Sequence, residues 1–349
     1  MIILLKKIIA LFAALIASLS VIPVEAADCS AAAYAVVDVQ TGEMLASKNE
    51  SQKRSIASTT KIMTALIACE SGSLDEIVTV TFDMVNTEGS VVGLRENDCV
   101  TLRDIVVAMM LASGNDAANA AALFLGESFA GFADMMNKKA AVLGMINSYF
   151  VTPSGLDEGG HCSTAADMAV LARAAVKNEE LAKICKMKSA EITVSGKKMQ
   201  IFNHNKLLAQ KGFIGVKTGF TKKAGRCLVS AYQNNGRFLV CVTLNDPDDW
   251  QDHVRLCAEA GKMLADVPVC GEMSVLTVGS AKSAVKAAYS GSVVVANKNL
   301  VTVSLYAKPF LYAPVKKGDV VGKAVVKYKE KEIASLPLAA CEDVEYLNG

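Results

Sequence analysis

The sequence predicts an α+β protein: one antiparallel sheet flanked by helices, followed by a second, small all-β domain. Three observations carry this. Strand-like segments open and close the stretch that ends near residue 265, and helix-like segments fill its middle. Beyond about Val267 helical periodicity disappears, and short segments alternate apolar and polar residues between turns. Hydrophobic residues make up 52% of the 349 positions, enough for a large core and against global disorder.

Residues 1–26 read as an export signal. Lys6 and Lys7 supply a positive start, residues 8–22 are almost wholly apolar, and Val24-Glu25-Ala26 places small residues at a cleavage position. The apolar run is shorter than the roughly 20 residues that span a bilayer. Membrane association is therefore expected only through this leader, cleaved or retained. The remainder, read as residues 27–266 and a β-rich 267–349, is expected outside the cytoplasm, in the periplasm or cell-wall space. Without the leader, 34 basic and 34 acidic residues remain. No basic cluster stands out, which argues against a nucleic-acid partner. The ten cysteines contain no Cys-x-x-Cys pair, so neither a zinc nor a redox motif is indicated, and no metal or other cofactor is expected. Several, such as Cys227 and Cys241, sit in apolar segments where a thiol packs as a small hydrophobe. Export permits disulfides, but the spacing assigns no pairs.

The elements follow in order. Residues 32–39 read as a strand, Gln40-Thr41-Gly42 as a turn, and residues 44–46 as the returning strand. Ser58-Thr59-Thr60-Lys61 then precedes the apolar Ile62, Met63, Ala65, Leu66 and Ile67, a helix start with hydroxyls available to cap it. Residues 70–99 are polar and loop-rich, with short strands expected at 77–80 and 90–92. Thr101-Leu102-Arg103-Asp104 resembles a capping box with Asp in the place of Glu. It opens a helix over 105–112 that is apolar on nearly every side and therefore buried. Ser113-Gly114-Asn115 interrupts it before a second apolar helix over 116–125. Three polar residues between buried helices need partners or a task.

Helices are expected over 129–143 and 165–176, the latter capped by Ser163 or Thr164, with a turn at 152–156. Residues 191–194 and 198–203 read as a hairpin closed by Ser195-Gly196. Residues 213–220 read as a sheet-edge strand. Residues 227–232 and 238–244 form a hairpin around Asn234-Asn235-Gly236, and 250–264 the last helix. In the β domain, strands are expected at 293–295, 300–306, 320–328 and 332–336.

Residues three apart share a helix face, so Ser58 and Lys61 can touch, and a serine beside an amine is a nucleophile beside a base. Ser195/Lys198 and Ser283/Lys286 match the same spacing, but in strand-like settings. Lys61 can be a base only if its pKa falls well below the ordinary value of about 10.4, which burial and a nearby cation such as Lys217 would achieve. A histidine triad is poorly supported: none of His161, His204 and His253 lies in a Gly-x-Ser-x-Gly context. His161 reads as structural, and Arg255 as an exposed helix charge.

The ordered set Ser58-x-x-Lys61, Ser113-Gly114-Asn115 and Lys217-Thr218-Gly219 is that of penicillin-binding proteins and class A β-lactamases. More narrowly, residues 57–66, 112–119, 153–156 with 161–165, 203–208 and 215–221 resemble the low-molecular-mass penicillin-binding proteins, in particular the serine D-alanyl-D-alanine carboxypeptidases of the penicillin-binding-protein-5 type. The resemblance runs from about residue 30 to 265; the β-rich tail resembles that family's second domain, with weaker motifs. It implies a DD-peptidase/β-lactamase-like fold. It implies removal of the terminal D-alanine from peptidoglycan stem peptides ending in D-Ala-D-Ala, with β-lactam antibiotics as covalent inhibitors. On this reading Ser58 is the nucleophile, Lys61 its base, and Ser113 the relay that protonates the leaving amine. Asn115 hydrogen-bonds the substrate backbone, Lys217 and Thr218 bind the terminal carboxylate, and Gly219 lets substrate approach the strand. The amides of Ser58 and Phe220 form the oxyanion hole.

Two alternatives remain. A class A-like β-lactamase would add a carboxylate that activates the deacylating water, and no Glu-x-x-Leu-Asn loop lies between Asn115 and Lys217. A non-catalytic cell-wall-binding protein with a vestigial site would not need every motif intact. The resembling proteins often end in an amphipathic anchoring helix, whereas residues 336–349 are short, acidic and lack a basic amphipathic face.

Overall fold

The computed structural model describes residues 29–234 and 236–347, so the leader and Asn235 lie outside the described residues. In chain order the elements are β1 (Ala33–Asp38), β2 (Met44–Lys48), a 3-10 turn (Ala57–Thr60), α1 (Lys61–Glu70), β3 (Ile77–Thr79), α2 (Phe82–Val85), β4 (Cys99–Thr101), α3 (Leu102–Ala112), α4 (Asn115–Gly126), α5 (Phe129–Leu143), α6 (Ala165–Lys177), α7 (Glu179–Lys186), β5 (Ser189–Val194), β6 (Lys197–Phe202), β7 (Phe213–Thr221), β8 (Gly225–Asn234), β9 (Arg237–Leu244) and α8 (Asp249–Lys262). The β-rich part follows with β10 (Ala265–Val278), β11 (Ala284–Val295), β12 (Val301–Ala307), β13 (Phe310–Tyr312), β14 (Val320–Tyr328) and β15 (Lys331–Ala340).

Five strands make the central sheet in the order β2-β1-β9-β8-β7, every pair antiparallel. All six residues of β1 are buried. Ala33, Ala35 and Val37 face the main core, and Tyr34 and Val36 face a second core under α8. Helices thus cover both faces, which is why this strand reads as continuously apolar. The main core holds α1, α3 and α4, buried on nearly every side as their all-round apolar sequences require.

Helix α3 starts three residues before its expected first turn. Thr101 Oγ1 accepts the Asp104 amide at 3.1 Å, but the Asp104 carboxylate turns away to the Thr193 amide at 3.0 Å, so the capping box is half made. Helix α7 is absent from the sequence reading; Asn178 caps it through the Leu181 amide at 3.0 Å. A four-stranded sheet, β3-β4-β5-β6, is likewise new. The pair Val100–Val194 joins its halves, a contact between distant segments that local patterning does not reveal.

The six strands of the β-rich part order as β12-β14-β15-β11-β10-β13. The strand expected at 293–295 is the end of the twelve-residue β11, its hairpin partner β10 and the short β13 are absent from the sequence reading, and β13 runs parallel to β10. All ten cysteines are unpaired, and Cys185, Cys227, Cys241 and Cys257 are buried. Among the described residues no helix is long and apolar enough to cross a membrane. The two other Ser-x-x-Lys matches are surface features. Ser195 sits in a hairpin turn and Lys198 pairs with Glu191 at 2.7 Å, while Lys286 lies on β11, 3.6 Å from Glu272.

Candidate active site

Ser58 lies in the 3-10 turn that leads into α1. Among the described residues no side-chain cap closes that helix. The hydroxyls expected to cap it are engaged elsewhere. Thr59 Oγ1 donates to the Ile56 carbonyl at 2.6 Å, Thr60 Oγ1 meets His161 Nε2 at 2.8 Å, and Ser58 Oγ faces Lys61. Two glycines clamp the turn. A Cβ on Gly155 would stand 1.9 Å from the Ala57 carbonyl oxygen, and one on Gly219 would stand 3.0 Å from the Ser58 amide nitrogen. Between them Ala57 adopts φ +47°, a left-handed conformation that costs an alanine about 1–2 kcal/mol. Strain of this kind persists only where the surroundings enforce it.

Lys61 has no exposed surface. Its Nζ lies 2.9 Å from Ser58 Oγ, 2.7 Å from Asn115 Oδ1 and 2.9 Å from the Ser154 carbonyl oxygen. Asn115 Nδ2 donates to the Glu88 carbonyl at 2.7 Å, which fixes the amide so that its oxygen faces the lysine. The asparagine and carbonyl oxygens can only accept. A neutral amine gives them its two protons and turns its lone pair to the Ser58 hydroxyl, which then donates. Burial lowers the Lys61 pKa well below its ordinary value; the positive charge of Lys217 lowers it further, and Asp116 opposes both.

Lys217 lies on β7, the edge strand of the central sheet, and is 2% exposed. Its Nζ donates to the Thr218 carbonyl at 3.1 Å, and burial pushes its pKa down to about 7.

Ser113 closes α3 in a left-handed conformation, φ +63°, and Asn115 opens α4. The break between the two buried helices thus delivers two polar residues to one place. Ser58, Ser113, Thr218, Gly219 and Phe220 line one cavity of about 310 Å³, with Ser90 and His204 on its rim. Asn115, Lys61 and Lys217 lie behind its wall. The Asn115 oxygen is committed to the lysine, and one of its two amide protons is held by the Glu88 carbonyl.

Several functional neighbours escape the sequence reading. Asp116 accepts the amides of Val92, Gly93 and Leu94 at 2.9–3.1 Å, so residues 90–92 form a tethered loop rather than the expected strand. The Asn115 amide donates to the Ser90 carbonyl at 2.7 Å and pins the same loop. Arg226 of β8 lines the cavity opposite Phe220. Asp249 holds its Nη2 at 2.6 Å, the Trp250 ring lies 5.6 Å from its guanidinium centre, and its buried Nε has no hydrogen-bond partner among the described residues. One signal for it exists in the sequence: Arg226 shares strand phase with Leu228 and Ser230, which face inward. His161 tethers the 151–156 loop. Its Nδ1 accepts the Val151 amide at 3.1 Å and the Thr152 amide at 3.3 Å, so Nε2 carries the proton given to Thr60. Arg255 pairs with Asp252 and lies off the Ser58 cavity.

The fold and this geometry define a serine–lysine hydrolase site on an α+β scaffold, with an edge strand open to an extended ligand. Comparison with known proteins agrees. The family described as D-alanyl-D-alanine carboxypeptidase matches residues 20–248, and the one described as penicillin-binding protein 5, C-terminal domain, matches residues 272–346. The chain is 33% identical over 349 residues to D-alanyl-D-alanine carboxypeptidase DacC of Escherichia coli, covering 92% of this chain and 86% of that protein. It is 30% identical over 331 residues to D-alanyl-D-alanine carboxypeptidase DacF of Bacillus subtilis, covering 89% and 85%. Among solved structures, penicillin binding protein 5 from Haemophilus influenzae shares 26% identity at a TM-score of 0.66, covering 92% of this chain and 99% of that one. The chain belongs to the D-alanyl-D-alanine carboxypeptidase family of serine peptidases and has a penicillin-binding-protein-5-type C-terminal domain.

Proposed function

We propose that this chain removes the terminal D-alanine from peptidoglycan stem pentapeptides through an acyl-enzyme on Ser58. The observation that carries the reading is Lys61 Nζ, buried and 2.9 Å from Ser58 Oγ, with acceptors already placed for both protons of a neutral amine. Ser58 Oγ attacks the carbonyl carbon of the penultimate D-alanine, and its proton passes to Lys61. The oxyanion forms between the amides of Ser58 and Phe220; one such donor is worth about 10²–10³ in rate. The C–N bond then breaks as Ser113 relays the proton to the leaving amine. Water enters, Lys61 takes a proton from it, and hydrolysis of the ester frees Ser58.

The leaving residue carries the terminal carboxylate. Thr218 and the charges of Lys217 and Arg226 receive it, Arg226 being the cation that reaches the cavity wall. Asn115 positions Lys61 first and offers its remaining amide proton to the substrate backbone. β-Lactams present a comparable amide in a strained ring, and because the amine stays attached after the ring opens no fragment departs and Ser58 is trapped. We place catalysis in residues 27–266 and a separate β domain in 267–349. Residues 1–26 direct export, and N-terminal sequencing of exported protein tells a cleaved leader from a retained one.

Mass spectrometry after exposure to a labelled penicillin tests the mechanism. The label belongs on Ser58, and Ser58→Ala should abolish D-alanine release by the purified protein. A label elsewhere, or undiminished release, overturns the reading.

A further inference from the structure

We propose that Cys29, Asp246 and Asp252 hold a zinc ion where the segment before β1 packs against α8. The site is separate from the Ser58 cavity and does not depend on the carboxypeptidase reading.

The three residues come from distant segments, so no spacing motif announces them. Cys29 precedes β1, Asp246 lies in the loop between β9 and α8, and Asp252 stands in the first turn of α8. One donor atom from each, the Cys29 sulfur and a carboxylate oxygen of each aspartate, lies within 4.8 Å of the other two. Asp246 is 0% exposed and Asp252 1%, and Cys29 is half-buried. Two carboxylates held together out of water are costly unless positive charge joins them.

The hydrogen bonds around the pair leave it short of protons. Ser30 Oγ stands 2.7 Å from Asp246 Oδ1 and 2.8 Å from Asp252 Oδ2. A hydroxyl has one proton and fully serves only one of them. The Ser30 amide also donates to Asp252 Oδ2 at 2.8 Å, and Arg255 pairs with Oδ1. Asp246 is served worse. Apart from Ser30, its Oδ1 receives a long contact of 3.3 Å from the Asp248 amide, and its buried Oδ2 has no hydrogen-bond partner among the described residues. The two oxygens share one carbon, so this unpaired acceptor sits at the cluster itself. It calls for a cation.

The charges and donor types say which cation. Two carboxylates and a thiolate carry three negative charges, Arg255 returns one, and a divalent ion cancels the remaining two. Lys48 Nζ, the other cation nearby, donates to the Cys29 carbonyl instead, at 3.4 Å. A thiolate beside two carboxylates suits zinc, whereas calcium and magnesium take oxygen ligands alone. Zinc binds sulfur at about 2.3 Å and carboxylate oxygen at about 2.0–2.2 Å, so the donors draw together by no more than roughly 1.5 Å and leave a fourth position for water. Cys29 gives up its thiol proton on binding. The ion clamps the segment before β1 to the first turn of α8. That turn also carries Asp249, which holds Arg226 at 2.6 Å beside the Ser58 cavity.

The test is calorimetric titration of Zn²⁺ into the full chain, stripped by a chelator and kept reduced with a phosphine. One ion should bind per chain. Losing even an outer partner of a metal ligand costs 10–100-fold in affinity, so Cys29→Ser and Asp246→Asn should each weaken binding at least roughly 100-fold. Serine at the exposed Cys99, Cys270 or Cys341 should change nothing. Zn²⁺ should raise the unfolding midpoint of the unaltered chain and of those three controls, but not of Cys29→Ser. Co²⁺ in place of zinc should show a thiolate charge-transfer band in the near ultraviolet. That readout uses the unaltered chain and stands even if a variant fails to fold. The proposal is overturned if the unaltered chain binds no Zn²⁺, which would leave a shared proton to hold the acid pair. It is equally overturned if binding survives both substitutions, or if bound Co²⁺ shows no thiolate band.

Discussion

A methyl group on Gly219 would meet the amide nitrogen of Ser58 at 3.0 Å, and the Thr59 amide nitrogen at 3.1 Å. The edge strand and the nucleophile turn are therefore pressed together along their backbones. Their closeness sets the separation of the Ser58 and Phe220 amides. Gly219→Ala should open that separation by a few tenths of an ångström, slow acylation by penicillin roughly 100-fold, and cost about 1–3 kcal/mol of stability. Normal acylation by this variant would mean that the two amides do not act as a pair.

The proposed mechanism needs the two lysines in opposite protonation states, Lys61 neutral and Lys217 a cation. The acylation rate should rise with pH as Lys61 loses its proton, well below the ordinary lysine range, and fall as Lys217 loses its own near pH 7. Lys217→Gln removes the charge that pushes the Lys61 pKa down. Its rising limb should move to higher pH, and the falling limb should disappear. A pH profile identical to that of the unaltered chain excludes this coupling.

Asp116 acts in the other direction. Its carboxylate holds three consecutive loop amides, and its charge favours the protonated form of Lys61. Asp116→Asn should lose about 2 kcal/mol in denaturant unfolding, because hydrogen bonds to a charged acceptor are replaced by a mismatch with an NH₂ group. The rising limb of its acylation profile should shift to lower pH.

In the proposed mechanism Arg226 receives the terminal carboxylate of the substrate. Arg226→Gln should raise KM roughly tenfold for a peptide with a free terminal carboxylate, the loss expected for a charge-assisted hydrogen bond. It should leave a substrate with an amidated terminus unaffected. Equal losses on both substrates would assign Arg226 to shaping the cavity instead.

His161 makes the fold sensitive to acid. Burial lowers its pKa to about 4 from the ordinary 6.5, and its neutral form holds the 151–156 loop against Thr60. A depressed folded pKa means that this contribution is complete above pH 6.5. It is lost as the pH falls from there through 4, by up to roughly 3 kcal/mol at about 1.36 kcal/mol per unit. His253, pushed down to about 3 by burial, adds a loss of the same sign. Urea midpoints should therefore drop between pH 7 and 4.5, and His161→Gln should show a shallower drop.

The sequence by itself determined the three motifs, their order, the buried helices α1, α3 and α4, the β8–β9 hairpin strands and the change to an all-β texture near residue 267. These are local: apolar periodicity and turn chemistry act over a few residues, and Ser58 and Lys61 are one helical turn apart. Tertiary structure decided what Lys61 touches besides Ser58. Its other partners, Asn115 and the Ser154 carbonyl, come from 54 and 93 residues away. It also decided that the Ser58, Thr59 and Thr60 hydroxyls serve other partners than the helix cap, and that residues 90–92 tie down to Asp116 instead of pairing as a strand. Arg226 looked ordinary for the same reason. A strand arginine acquires meaning only from the cavity it lines, and that cavity forms where segments remote in sequence pack side by side.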